Sequence, residues 1–182
     1  MTTPLVLEAV TCVRGGRALF EELSLTLAAG EAALVTGANG VGKSSLLRIC
    51  AGMLRPAAGR VAARRVAWAD GRAALDAELP LGRALAFWGA TDAAVLADFG
   101  LSALGDVPVR LLSTGQRQRA ALARVAIDGA PLWLLDEPVN GLDVDATAVL
   151  ERHIADHRAR GGAVMVATHV PVALPGAQRI ML

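Results

Sequence analysis

Eight consecutive residues, Gly37-Ala38-Asn39-Gly40-Val41-Gly42-Lys43-Ser44, match the pattern G-x-x-x-x-G-K-[S/T] in full, and Ser45 follows them. The chemistry of that pattern is phosphate binding. A triphosphate needs a ring of backbone N–H donors, and glycines permit the backbone angles and close approach that such a ring demands. The apolar run 31–36 before the motif reads as a strand. The apolar positions Leu46, Leu47, Ile49, Cys50 and Met53 after it read as a helix that Pro56 stops, which is the context in which the motif carries meaning. The helix N-terminus adds a field favourable to negative charge. Lys43 is placed to reach the β- and γ-phosphates, and the Ser44 hydroxyl to ligate Mg²⁺.

Two further groups could work with this loop. The apolar run Leu132-Trp133-Leu134-Leu135 ends in Asp136 and Glu137. At the C-terminal end of a parallel strand, Asp136 can hold Mg²⁺ through its water shell and Glu137 can polarise an attacking water. Adjacent carboxylates raise the cost of ionisation, which suits a base. The segment Leu112-Ser113-Thr114-Gly115-Gln116 precedes an arginine-rich helical pattern at 115–128. Ser113 and Gly115 at a helix N-terminus would make a second anion site, or else Ser113 or Thr114 simply caps the helix.

The elements that must position these groups alternate. Residues 5–10 and 23–27 read as strands around the turn Gly15-Gly16, and 60–67 reads as another. From 76 to 108 the pattern is helical. The runs ending at Glu137 and at Thr168 are buried-type strands, continuous rather than alternating. Between them 143–160 is a charged amphipathic helix stopped by Gly161-Gly162, and 177–182 is a last short strand. The pattern predicts an α/β core with parallel strands, in which the stretch 76–128 is a helical insertion.

Composition narrows the class. The 182 residues (18.7 kDa) suit one domain, 1–182. With 54% hydrophobic and 19% charged residues the chain is not disordered. A net charge of +1 gives no argument for nucleic-acid binding. Cys12 and Cys50 make no disulfide framework; they read as a strand-end and a core cysteine. No basic-then-apolar leader and no long apolar span appear, so the expectation is a soluble, cytosolic protein. His153 and His157 have i, i+4 spacing that can bind zinc, but without a third ligand they read as a solvated helix face. The basic side chains are seventeen arginines and one lysine, Lys43, inside the phosphate motif.

The order of the elements is informative as a whole. Phosphate loop, helical insertion, Leu112–Gln116, Asp136-Glu137, then Thr168-His169 resembles the ATP-binding cassette (ABC) ATPases over about residues 5–182. Leu-Ser-Thr-Gly-Gln resembles their LSGGQ signature with Thr114 for a glycine. Asn140-Gly141-Leu142-Asp143 resembles their D-loop, and His169 their switch histidine. The resemblance implies a P-loop ABC nucleotide-binding domain with a mixed β core and a small helical subdomain. It also implies ATP and Mg²⁺ as ligands, and two copies paired head to tail. Each ATP would then lie between the phosphate loop of one copy and Ser113, Gly115, Gln116 and Asp143 of the other. Closure on ATP would move a partner.

A narrower resemblance rests on Cys12-Val-Arg-Gly-Gly-Arg17-Ala-Leu-Phe20, on Leu111–Arg124, on Leu132–Pro138 and on Thr168-His-Val-Pro171. These look like the haem-exporter ATP-binding subunits of bacterial cytochrome c maturation. That implies multi-span membrane permease partners and a peripheral position on the cytoplasmic face of the inner membrane. No direct haem binding is expected of this chain. The alternatives are a soluble ABC ATPase not coupled to transport, an ATPase of another small-molecule exporter, or a nucleotide-binding regulator without turnover. Two departures stand out. No glutamine occurs between Lys43 and Leu112, where the family usually has one; Arg72 falls nearest its place. The aromatic residue that usually stacks on adenine is also missing. Arg14 occupies that region, as an adenine contact through its guanidinium or as a solvated strand-end arginine.

Overall fold

The two glycines of Gly15-Gly16 take positive φ, 56° and 76°, which lets the chain reverse tightly between two long strands. In the computed structural model, which describes residues 3–70, 74–90 and 92–182, β1 (Leu5–Arg14) and β2 (Arg17–Leu27) form this antiparallel hairpin. A further strand, β4 (Ala58–Ala63), pairs antiparallel with the other edge of β1 and completes a three-stranded sheet in the order β2-β1-β4. A second sheet is wholly parallel. Its order is β5 (Val66–Ala69), β6 (Leu132–Asp136), β7 (Ala163–Ala167), β3 (Ala32–Thr36), β8 (Gln178–Met181).

The apolar runs are continuous because β6 and β7 are covered on both faces. Leu132, Leu134, Ala163 and Met165 face one core with Leu46, Leu47 and Ile49 of helix α1 (Lys43–Cys50) and Leu5, Leu7 and Leu27 of the small sheet. Trp133, Leu135, Val164 and Val166 face the other, with helices α4 (Thr114–Asp128) and α5 (Val144–Ala159). Between β5 and α4 along the chain come two short helices, α2 (Leu81–Ala86) and α3 (Ala93–Asp98), and two 3-10 turns at Ser102–Leu104 and Val109–Leu111. Among the described residues no helix is long and apolar enough to cross a membrane.

Three expectations change. The single strand at 60–67 is two strands in different sheets, broken at Arg64-Arg65: β4 follows β1, whereas β5 follows β6. Cys12 is an interior residue of β1 rather than its end, and it is buried. The histidine face of α5 is not solvated. Leu150, His153, Ile154 and His157 form one buried stripe at helical spacing. The His153 ring stacks on Phe99 at 4.9 Å, with its Nε2 2.9 Å from Asp98. The His157 ring stacks on Trp133 at 4.0 Å. An imidazole offers a flat apolar face, which a count of polar residues overlooks. On α4, Arg119 donates to the Phe99 carbonyl and Arg124 is buried against Trp68 and Trp88.

Candidate functional site

The phosphate motif leaves β3 and enters α1, and its three glycines take φ values that L side chains avoid: Gly37 141°, Gly40 80° and Gly42 124°. Space adds to the demand. A Cβ on Gly37 would lie 2.5 Å from the carbonyl oxygen of Leu182, just beyond β8. Gly42 is the N-cap of α1 and no side chain caps this helix, so its first-turn N–H groups face the loop. Lys43 is buried, and its Nζ donates to the carbonyls of Gly37 (2.8 Å) and Ala38 (3.2 Å). Asn39, Gly40, Gly42, Lys43, Ser44, Ser45 and Glu137 line a cavity of about 330 Å³.

The carboxylates arrive at the C-terminal end of β6, beside the motif. Asp136 is the last residue of the strand and is buried. Burial pushes its carboxyl above the usual carboxylate range, while a hydrogen bond with Ser44 pulls it down. Its Oδ1 is buried with no hydrogen-bond partner. A hard dication is what a buried, unmatched carboxylate oxygen beside a hydroxyl suits, so Ser44 and Asp136 fit a Mg²⁺ site.

Glu137 leaves the strand at φ 49°, an unusual angle for a side-chain-bearing residue. Its N–H donates to Ala167 of β7 at 2.8 Å, so the residue is pinned where the chain turns. Its Oε1 lies 4.0 Å from Lys43 Nζ and 2.9 Å from His169 Nδ1, and its Oε2 accepts from the His169 N–H at 3.3 Å. Lys43, Ser44, Asp136, Glu137 and His169 therefore converge from β3–α1, β6 and the end of β7. Such a set can bind a polyphosphate, neutralise its charge and hold a water for in-line attack.

The remaining residues lie elsewhere. Ser113 caps α4: its Oγ accepts from the Gln116 N–H (3.2 Å) and Gln116 Oε1 accepts from the Ser113 N–H (2.8 Å), a reciprocal capping box. Gly115 faces the Gly141 carbonyl. Asp143 caps α5 by accepting from Ala146 at 2.7 Å. None of these four lines the phosphate cavity of its own chain. Arg14 ends β1, exposed; the groove on that side of the phosphate loop is lined by Arg17, Ala18 and Leu19. Arg72 lies outside the described residues.

Two supporting residues carry no motif. Gln118, buried on α4, donates to the Pro138 carbonyl at 2.9 Å and so steadies the turn after Glu137. Its signal was a polar residue among alanines on the inward face of a helix. Cys12 of β1 approaches Ser45, which lowers the thiol's pKa against the larger upward push of burial; nothing in the sequence announces that approach.

A family profile described as ABC transporter matches residues 20–140. The chain is 54% identical over 190 residues to the cytochrome c biogenesis ATP-binding export protein CcmA of Sphingopyxis alaskensis, covering 100% of this chain and 98% of that one. It is 58% identical over 173 residues to the protein of the same description from Novosphingobium aromaticivorans, covering 93% and 91%. Among solved structures, an ATP-binding subunit of an ABC transporter superposes with a TM-score of 0.85 at 22% identity, over 92% of this chain and 80% of that one. An ATP-binding cassette in its ADP conformation gives 0.72 at 19%, over 94% and 83%. These two likenesses are of fold.

Proposed function

The chain belongs to the ATP-binding subunits of ABC transporters, in the branch of the cytochrome c biogenesis export proteins CcmA, and from that premise we propose how its residues serve as the ATP-hydrolysing motor of the haem exporter complex. The whole of 1–182 acts as one ABC ATPase domain, with 76–128 as its helical subdomain. Gly37 to Ser45 cradle the phosphates of ATP, and Lys43 exchanges its loop carbonyls for phosphate oxygens. Ser44 and Asp136 hold Mg²⁺, which when bound draws charge from the phosphate oxygens. Glu137 orients and polarises the attacking water. His169 holds Glu137 and reaches the γ-phosphate. Arg14 lies against the adenine.

The observation that carries this reading is the convergence of Lys43, Glu137 and His169 over the phosphate loop, within 4.0 Å and 2.9 Å of one another through Glu137. One copy supplies donors on one side of the γ-phosphate only. Ser113, Gly115, Gln116 and Asp143, which lie outside the cavity of their own chain, serve the ATP of a second copy in a head-to-tail pair. The pair sits on multi-span permease subunits at the cytoplasmic face of the inner membrane, and its closing and opening drives them. Co-purification from membranes tests the assignment. Recovery with multi-span partners and ATP hydrolysis lost in Glu137→Gln is the expected result; a chain that hydrolyses ATP alone and recovers no membrane partner overturns it.

A further inference from the structure

Among the described residues, Arg124 is the one buried cation that the phosphate chemistry does not use. It lies in the inner half of α4, 2% exposed, and makes no ion pair among the described residues: Asp128 is bonded to Arg65 at 2.5 Å. Its Nη2 donates to the carbonyl of Trp68, near the end of β5. Its guanidinium carbon stands 4.5 Å over the ring of Trp88, just after α2. Its Nε is buried with no partner. Burial pulls its pKa below the ordinary arginine value, while the charges of Asp128 and Asp70 oppose that. An apolar side chain of this size would avoid the desolvation cost, so a contribution to stability is a poor reason for a guanidinium here. What an apolar side chain could not do is hold a backbone carbonyl of the sheet and an indole face of the helical region at once.

We propose that Arg124 is a positioning residue that sets the seat of α4 on β5 and Trp88, and so aims the Ser113–Gln116 turn at the ATP of the second copy. Three turns of helix separate Arg124 from that turn, so a small rotation at the guanidinium becomes a larger displacement at Ser113. The inference rests on the head-to-tail reading above. It goes beyond it by naming the joint through which the helical region and the parallel sheet move as one body.

The test is ATP-driven dimerisation of the full chain carrying Glu137→Gln, followed by sedimentation, with ATP affinity and melting temperature measured beside it. With Arg124 intact, dimer is expected. Adding Arg124→Met should weaken dimerisation by about tenfold or more, while ATP affinity stays within about twofold because the phosphate loop is untouched. Arg124→Lys, which keeps a charge and one donor for Trp68, should fall between. Trp88→Leu removes the ring contact alone and covers the case in which Arg124→Met does not fold; it should weaken dimerisation in the same direction. Undiminished dimerisation in Arg124→Met, or in Trp88→Leu where Arg124→Met does not fold, overturns the inference. So does a parallel loss of ATP affinity and melting temperature, which marks Arg124 as a fold support only. No dimer with Arg124 intact overturns the head-to-tail reading, and the inference with it.

Discussion

Both oxygens of Glu137 are engaged by one residue: Oε1 lies 2.9 Å from Nδ1 of His169, and Oε2 accepts from the backbone N–H of that histidine at 3.3 Å. The carboxylate is thereby fixed in rotation as well as position. Glu137→Gln should keep the shape but remove the base, lowering ATP turnover by about 10²- to 10⁴-fold with ATP still bound. His169→Ala should lower turnover to a similar extent by freeing the carboxylate and removing a γ-phosphate contact. Steady-state phosphate release and nucleotide-binding titrations separate the two effects; turnover above one tenth of the parent in either variant contradicts the assignment.

Lys43 supplies the buried positive charge in the phosphate cavity and presently bonds only loop carbonyls and, at 4.0 Å, Glu137. Lys43→Ala should weaken ATP binding by about 10²-fold or more, because among the described residues no other cation lines that cavity. Lys43→Arg should restore little, since a planar fork does not fit where a compact ammonium threads between the Gly37 and Ala38 carbonyls. Fluorescent nucleotide titration reads both.

Acid should unfold the protein partly through His157. Burial drives this imidazole from its ordinary 6.5 down to about 4. Between those values the unfolded chain holds a proton that the folded chain refuses, so the stabilisation is fully present above pH 6.5 and is lost as pH falls toward 4, by about 3 kcal/mol. Urea midpoints at pH 7 and pH 4.5 should differ by less in His157→Phe, which keeps the stack on Trp133 and does not titrate. An equal difference in both proteins would remove His157 from the account.

The same ring fixes a glycine. A Cβ on Gly162 would run into the His157 imidazole, and that ring cannot swing away because Trp133 lies 4.0 Å behind it. Gly162→Ala should cost about 2 kcal/mol or more, visible as a lower melting temperature. The loss should shrink when His157→Ala is added. Additive losses would show that the two residues do not share the space.

What the residue string revealed was the part whose chemistry dictates residue type. Gly37, Gly40, Gly42 and Lys43 are each demanded by phosphate, and Asp136 and Glu137 end a strand too apolar to lie anywhere but in the core. The resemblance to the ABC family placed Ser113, Asp143 and His169. What stayed hidden is what depends on distant packing. Residues 60–67 have one strand-like composition, yet two different neighbours, β1 and β6, claim its halves. Polar residues hid the buried stripe of α5. Arg124 stands in an arginine-rich run, and only its place against Trp68 and Trp88 sets it apart from Arg117 and Arg119 on the same helix.

The strand that carries the phosphate loop lies between two late arrivals. β3 pairs on one side with β7 and on the other with β8, both more than 120 residues further along the chain. On the ribosome the β1–β2 hairpin can form early, since its contacts are local. The nucleotide loop has no seat until the last strands have been made. ATP should therefore stabilise a chain translated through β8 more than one that stops short of β7, because only the former holds β3 from both sides.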